Sequence, residues 1–223
     1  MIPRWRPPHT AAGLLPLALV LALASPARAA GPAPLLRCVQ QRYAALRDLS
    51  ADFAQESRVA SLGRPRSRAG RLYFLPPGRM RWEYEPPDPQ LIVADGRQVW
   101  FYRPERRQAI VQPVGENEAR QTPFLFLLGR GEFAREFTWE EREPAPAPGG
   151  AVRVRLTPRA ETPEMARLEL EIVPGECRLA ATLVEDAYGN RTRLSFSAER
   201  VGTAPDPGLF RFTPPAGTEI VKP

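Results

Sequence analysis

Few side chains in this chain are equipped for covalent or metal chemistry. There is one histidine, His9, and the only lysine is Lys222. The two cysteines are Cys38 and Cys177. A Ser–His triad or a histidine-bound metal needs an imidazole, and a P-loop or a Schiff base needs an interior lysine. His9 falls in a segment that reads as a leader and Lys222 stands next to the C-terminus, so neither is placed for such work. Two thiols without further ligands do not hold zinc. That leaves carboxylates for general acid–base catalysis, and Glu83/Glu85 and Glu140/Glu141 are the candidates. Both read better as solvated strand faces. The sequence therefore predicts no catalytic residue, no metal and no cofactor, and so no enzyme.

The compartment is set by the first residues. Arg4 and Arg6 precede an apolar run from Ala11 to Ala24, and Ala27-Arg28-Ala29 follows with small residues flanking a cleavage position. Such a run spans about 21 Å as a helix, short of a ~30 Å hydrocarbon core, so it reads as a cleavable signal peptide over residues 1–29. Residues 30–223 then form one periplasmic domain. Loss of Arg4, Arg6 and Arg28 lowers the formal charge from +6 to +3, with arginines and acids interspersed, which argues against a nucleic-acid partner. In an oxidising compartment Cys38 and Cys177 form either a disulfide or two separate buried thiols. Arg37 and the distance from the cleavage site exclude Cys38 as a lipidation site.

The elements that must position any site follow from hydrophobic period. Leu35, Val39, Tyr43 and Leu46 recur at helical spacing and predict a helix over 35–47. After it the period drops to two. Met80, Trp82 and Tyr84 alternate with Arg79, Arg81, Glu83 and Glu85; Val152, Val154 and Leu156 alternate with arginines; Leu168, Leu170 and Ile172 alternate with glutamates; and Leu194, Phe196 and Ala198 share one face. Asp95-Gly96 marks a hairpin. About eleven strands result, each with one apolar and one wet side. A sheet of this kind must close or be covered, and few helices are available to cover it. One further helix is predicted at Thr122–Gly129, with Pro123 at its start and Gly129 past its end. Phe124, Leu125, Phe126, Leu127 and Leu128 make it apolar all round, so it must be buried in the core or meet an apolar ligand as a lid.

Several of these stretches resemble the LolA family of periplasmic lipoprotein carriers. They are Leu46-Arg47-Asp48-Leu49-Ser50-Ala51-Asp52-Phe53-Ala54-Gln55, Gly70-Arg71-Leu72-Tyr73-Phe74, Pro77-Gly78-Arg79-Met80-Arg81-Trp82, and Ile92-Val93-Ala94-Asp95-Gly96 with Val99-Trp100-Phe101-Tyr102. Thr122–Leu128 and Phe210-Arg211-Phe212-Thr213-Pro214-Pro215-Ala216-Gly217 complete the ordered set. The resemblance implies a mainly β, unclosed antiparallel barrel with a short-helix lid. It implies that Leu72, Phe74, Met80, Trp82, Phe124, Leu125, Leu127 and Leu128 form a surface for acyl chains. Met80 opens its strand, where the interior would reach the mouth. The implied partners are lipoproteins, an inner-membrane ABC transporter that releases them, and an outer-membrane receptor of LolB type; a monomer is expected. The family has an arginine just before the proline that opens the Met80 strand, where it helps to latch the lid; here that position is Pro76. This departure keeps a second reading open, a LolA-like binder of another lipid or a stress sensor sharing the fold.

Overall fold

The computed structural model describes residues 31–114, 132–140 and 144–222. The expected leader, residues 1–29, and the expected helix at Thr122–Gly129 lie outside them. The chain starts with α1 (Pro32–Ala44) and continues through β1 (Leu49–Arg58), β2 (Arg66–Leu75), β3 (Arg79–Tyr84), β4 (Gln90–Asp95), β5 (Gln98–Arg103) and β6 (Gln108–Pro113). A one-turn helix, α2 (Phe133–Glu136), leads into β7 (Phe137–Trp139) and β8 (Ala145–Pro146). Then come β9 (Val152–Pro158), β10 (Arg167–Val173), β11 (Arg178–Glu185), β12 (Arg191–Val201) and β13 (Glu219–Val221).

All thirteen strands join one sheet in the order β13-β6-β5-β4-β3-β2-β1-β12-β11-β10-β9-β7, with β8 attached to β9. The ends of this order, β13 and β7, are not paired with each other, so the sheet is an unclosed barrel. The count exceeds eleven because β8 and β13 are only two and three residues long and carry no readable alternation. The sheet is antiparallel except at β13, which pairs with β6 in parallel.

Helix α1 begins three residues before its expected start. Proline is tolerated in the first turn, where a backbone N–H has no intrahelical partner, so Pro32 and Pro34 fit there. Its end comes early because the chain must turn into β1. Asp48, 4% exposed, fixes that turn by accepting from the backbone N–H of Thr203 at 2.8 Å and its hydroxyl at 3.1 Å. Leu35, Leu36, Val39 and Tyr43 of α1 are buried in the same core as the inner face of the sheet. The Tyr43 hydroxyl accepts from the backbone N–H of Leu179 at 3.2 Å, and Arg42 forms an ion pair with Glu199. Cys38 is joined to Cys177, at the turn before β11, with Cα atoms 5.5 Å apart.

Two departures from simple alternation shape the packing around the sheet. Ala198 was expected on the apolar face, but it is exposed, with φ at 48°. The β1–β12 register slips there: Ser50 faces Arg200, whereas Asp52 faces Ser197. One extra residue on β12 makes a bulge, and the bulge brings Glu199 to Arg42 and Tyr43 of α1. The second departure is the outer face of β4–β6, expected to be wet. There the C-terminal segment lies across the sheet: Phe212 packs on Trp100 and Tyr102, with ring centroids 5.4 and 5.2 Å apart. Phe210 is 1% exposed, and the Arg81 guanidinium donates to the Leu209 carbonyl at 3.0 Å.

The outer face of β9–β12 has one buried carboxylate. Glu171 is bracketed by Arg193, at 2.6 and 2.8 Å, and Arg153, at 2.8 Å. The Arg193 hydrogen bonds lower the pKa of its carboxyl, burial opposes them, and Arg153 lowers it further, to about 2. A carboxylate whose folded-state pKa is depressed stabilises the fold above its unfolded value, near 4.5, and loses that contribution as pH falls through the folded value. Urea titrations should therefore show stability falling between pH ~4.5 and ~2 by roughly 2 kcal/mol more in the wild type than in Glu171→Gln. Parallel acid limbs in the two proteins would contradict this.

Candidate functional site

The inner face of the sheet is built in rows by the register. Phe74 of β2 stands opposite Met80 of β3, and Leu72 stands opposite Trp82. The rows extend through Leu49 and Ala51 of β1 on one side, and through Ala94 and Ile92 of β4 to Val99 and Phe101 of β5 on the other. The four sheet residues predicted for the site are thus brought together as two cross-strand pairs. Leu72 and Phe74 are 0% exposed, Trp82 3% and Met80 4%. Phe124, Leu125, Leu127 and Leu128 lie outside the described residues.

Three contributors to this face were not among the predicted site residues. Phe53 of β1 sits beside Trp82 and Tyr84, edge to face, at 4.8 and 4.9 Å. Gly70 makes room for this aromatic group. A Cβ there would lie 1.9 Å from the Glu83 carbonyl oxygen and 2.9 Å from the Phe53 ring, so no other residue fits without the strands separating. Next comes Arg68, whose guanidinium carbon lies 3.9 Å from the Tyr84 ring centroid. Its Nη2 donates to the Asp88 carbonyl and to Gln90 Oε1, both at 3.0 Å, and the Tyr84 hydroxyl donates to Gln55 Oε1 at 2.8 Å. The inner face therefore runs from the apolar Phe74–Met80 row to a polar end at Arg68. Alternation along β2 already carried that signal, because positions 68, 70, 72 and 74 share a side.

The inner-face residues are buried. Among the described residues, two clefts of about 200 and 280 Å³ lie away from this face: one beside Trp139 and Arg153, the other beside Asp52, Arg71 and Arg200. An open apolar cavity was expected from the shortage of covering helices. Among the described residues, those of the inner face join α1, Phe133 and Phe137 in one buried cluster. The position before Pro77 has no arginine, and its neighbours have partners of their own among the described residues. Arg79 donates to the Pro76 carbonyl at 3.3 Å, and Arg81 is held by Glu83 and the Leu209 carbonyl.

An unclosed sheet with buried apolar rows on its inner face is what a binder of apolar ligands requires. Comparison with known proteins narrows that class. Residues 44–213 match the family described as outer membrane lipoprotein carrier protein LolA. The chain is 35% identical over 175 residues to an outer-membrane lipoprotein carrier protein of Methylococcus capsulatus, covering 78% of this chain and 81% of that one. A carrier of the same description from Chromobacterium violaceum is 31% identical over 204 residues, covering 92% and 93% of the two chains. The chain belongs to the LolA family of outer-membrane lipoprotein carrier proteins. Its fold is similar to that of an uncharacterized conserved protein from Thermus thermophilus, with a TM-score of 0.54 at 16% identity over 86% of this chain and 98% of that one.

Proposed function

We propose that this protein, once a leader at residues 1–29 is removed, is a monomeric periplasmic carrier of lipoproteins. It takes the acyl chains of a lipoprotein released by an inner-membrane ABC transporter and passes them to an outer-membrane receptor of LolB type. The observation that carries the reading is the unbroken apolar inner face around Phe74–Met80 and Leu72–Trp82, in a chain of this family. An acyl chain in water costs about 0.8 kcal/mol per exposed methylene, so escort is a problem of partition and needs no covalent step. Few directional contacts hold such a ligand, which keeps release possible. No catalytic residue and no cofactor is assigned.

One observation favours a second reading. Proline at position 76 has neither side-chain donor nor backbone N–H, so it cannot make the contact that the family's arginine makes. A binder of a different lipid would tolerate that loss. A single experiment separates the two. The protein is purified from periplasm without detergent, and its bound material is identified by mass spectrometry. Peptides with an acylated N-terminal cysteine support the carrier reading, and phospholipid or fatty acid alone supports the second. Delipidated protein that also fails to take up an acyl probe contradicts both.

A further inference from the structure

The stretch from Ser57 to Trp82 contains seven arginines and no acid. Its first part is the β1–β2 hairpin, in which every residue from Arg58 to Ser67 is exposed. Leu62, at the tip, is 70% exposed and Val59 38%. The tip is a built turn: the Leu62 N–H donates to the Val59 carbonyl at 3.0 Å, and Gly63 takes φ of 65°. The neighbouring β11–β12 hairpin carries Tyr188, 73% exposed. The two tips are tied together, because the Ala60 N–H donates to Asn190 Oδ1 at 3.0 Å. Asp186, the acid nearest that tie, is occupied within its own turn by the N–H groups of Tyr188 and Asn190. Among the described residues, Arg58, Arg64 and Arg66 have no ion pair and no side-chain hydrogen bond.

We propose that these paired hairpin tips dock on an anionic lipid surface. The chemistry is complementary on both counts. Leu62 and Tyr188 are the side-chain types that enter the headgroup boundary, aliphatic and amphipathic aromatic, and unpaired arginines beside them favour acidic headgroups. Shape favours a membrane over a protein partner. A stable protein interface needs roughly 1,000 Å² of fitted area, whereas two narrow projecting turns fit a fluid surface better than a rigid one. The assignment does not depend on which lipid the inner face carries.

The test uses the mature full-length protein with vesicles of phosphatidylcholine alone or mixed with phosphatidylglycerol. Binding should require phosphatidylglycerol and weaken as salt is added. Arg58→Gln/Arg64→Gln/Arg66→Gln should lower vesicle affinity about 100-fold at low salt, and Leu62→Ser/Tyr188→Ser about 10-fold. Circular dichroism should be unchanged in both, since all five positions are exposed. A control with the same charge change, Arg37→Gln/Arg47→Gln/Arg97→Gln, should lose no more than a few-fold. Absence of vesicle binding, equal binding to both vesicle types, or an equal loss in the control would overturn the proposal. So would affinities unchanged in both hairpin variants, or capture of a protein at the tips with no vesicle affinity.

Discussion

Replacing Cys38 and Cys177 together by serine is expected to lower the unfolding free energy by about 4–5 kcal/mol while leaving the sheet intact. The link would close a loop spanning a sequence separation of 139, and loop-closure entropy grows with loop length. Its location adds to the effect. Cys38 lies in the middle of α1, between Leu36 and Val39, which are buried in the core, and Cys177 precedes Leu179, which is fully buried. Without the link α1 would still be held by Tyr43, by the Arg42–Glu199 pair and by its apolar side. The helix should therefore fray before the sheet unfolds. Urea titration of the two proteins measures the difference, and hydrogen exchange should locate the first loss of protection in α1. Two free thiols in protein isolated from the periplasm, or a serine pair within about 1 kcal/mol of the wild type, would contradict it.

The second large effect concerns the inner face. Met80→Glu is expected to abolish binding of an acyl ligand, with affinity falling by about 1,000-fold or more. The carboxylate would project between Phe74 and Ala94, its cross-strand partners, where no cation of the described residues is in place to pair with it. Burying an unpaired charge against an alkyl chain costs several kcal/mol. Met80 was expected near a mouth, where folding would be indifferent to a charge. At 4% exposure it is enclosed, so some loss of stability accompanies the change. Met80→Leu separates the two effects, because it conserves volume and apolarity and should bind as the wild type does. Circular dichroism, urea titration and a fluorescent acyl analogue, applied to both variants, distinguish a lost site from a lost fold. Met80→Glu that is folded and binds normally would remove the inner face from the account.

Much of this fold was legible because each strand buries one side. Met80, Trp82 and Tyr84 could be placed together from alternation alone, and the β2–β3 register then sets Phe74 and Leu72 opposite the first two. Legibility ends where the chain departs from a period of two or where distant segments meet. The bulge at Ala198 reverses the expected side of a single residue, and nothing in the local pattern of serine and apolar residues announces it. The cover of the outward Trp100 and Tyr102, Phe212, comes from more than a hundred residues later in the chain. Arg68 shares its side of β2 with Leu72 and so was within reach of alternation, but an inward arginine conflicts with the expectation of an apolar face. Tyr84 beneath it and Gln90 beside it resolve that conflict.

The central claim is that cargo lies against the inner face, and adjacent residues of β3 test it most directly. Met80 points into the face, whereas Arg81 points away from it toward Glu83 and Leu209. A photoreactive phenylalanine analogue is placed at position 80 in one protein and at position 81 in another, and each is irradiated while loaded with an acylated lipoprotein. The account predicts a crosslink to the acyl chains from position 80 and none from position 81. Crosslinking from position 81, or none from position 80 in protein shown to be loaded, would contradict it.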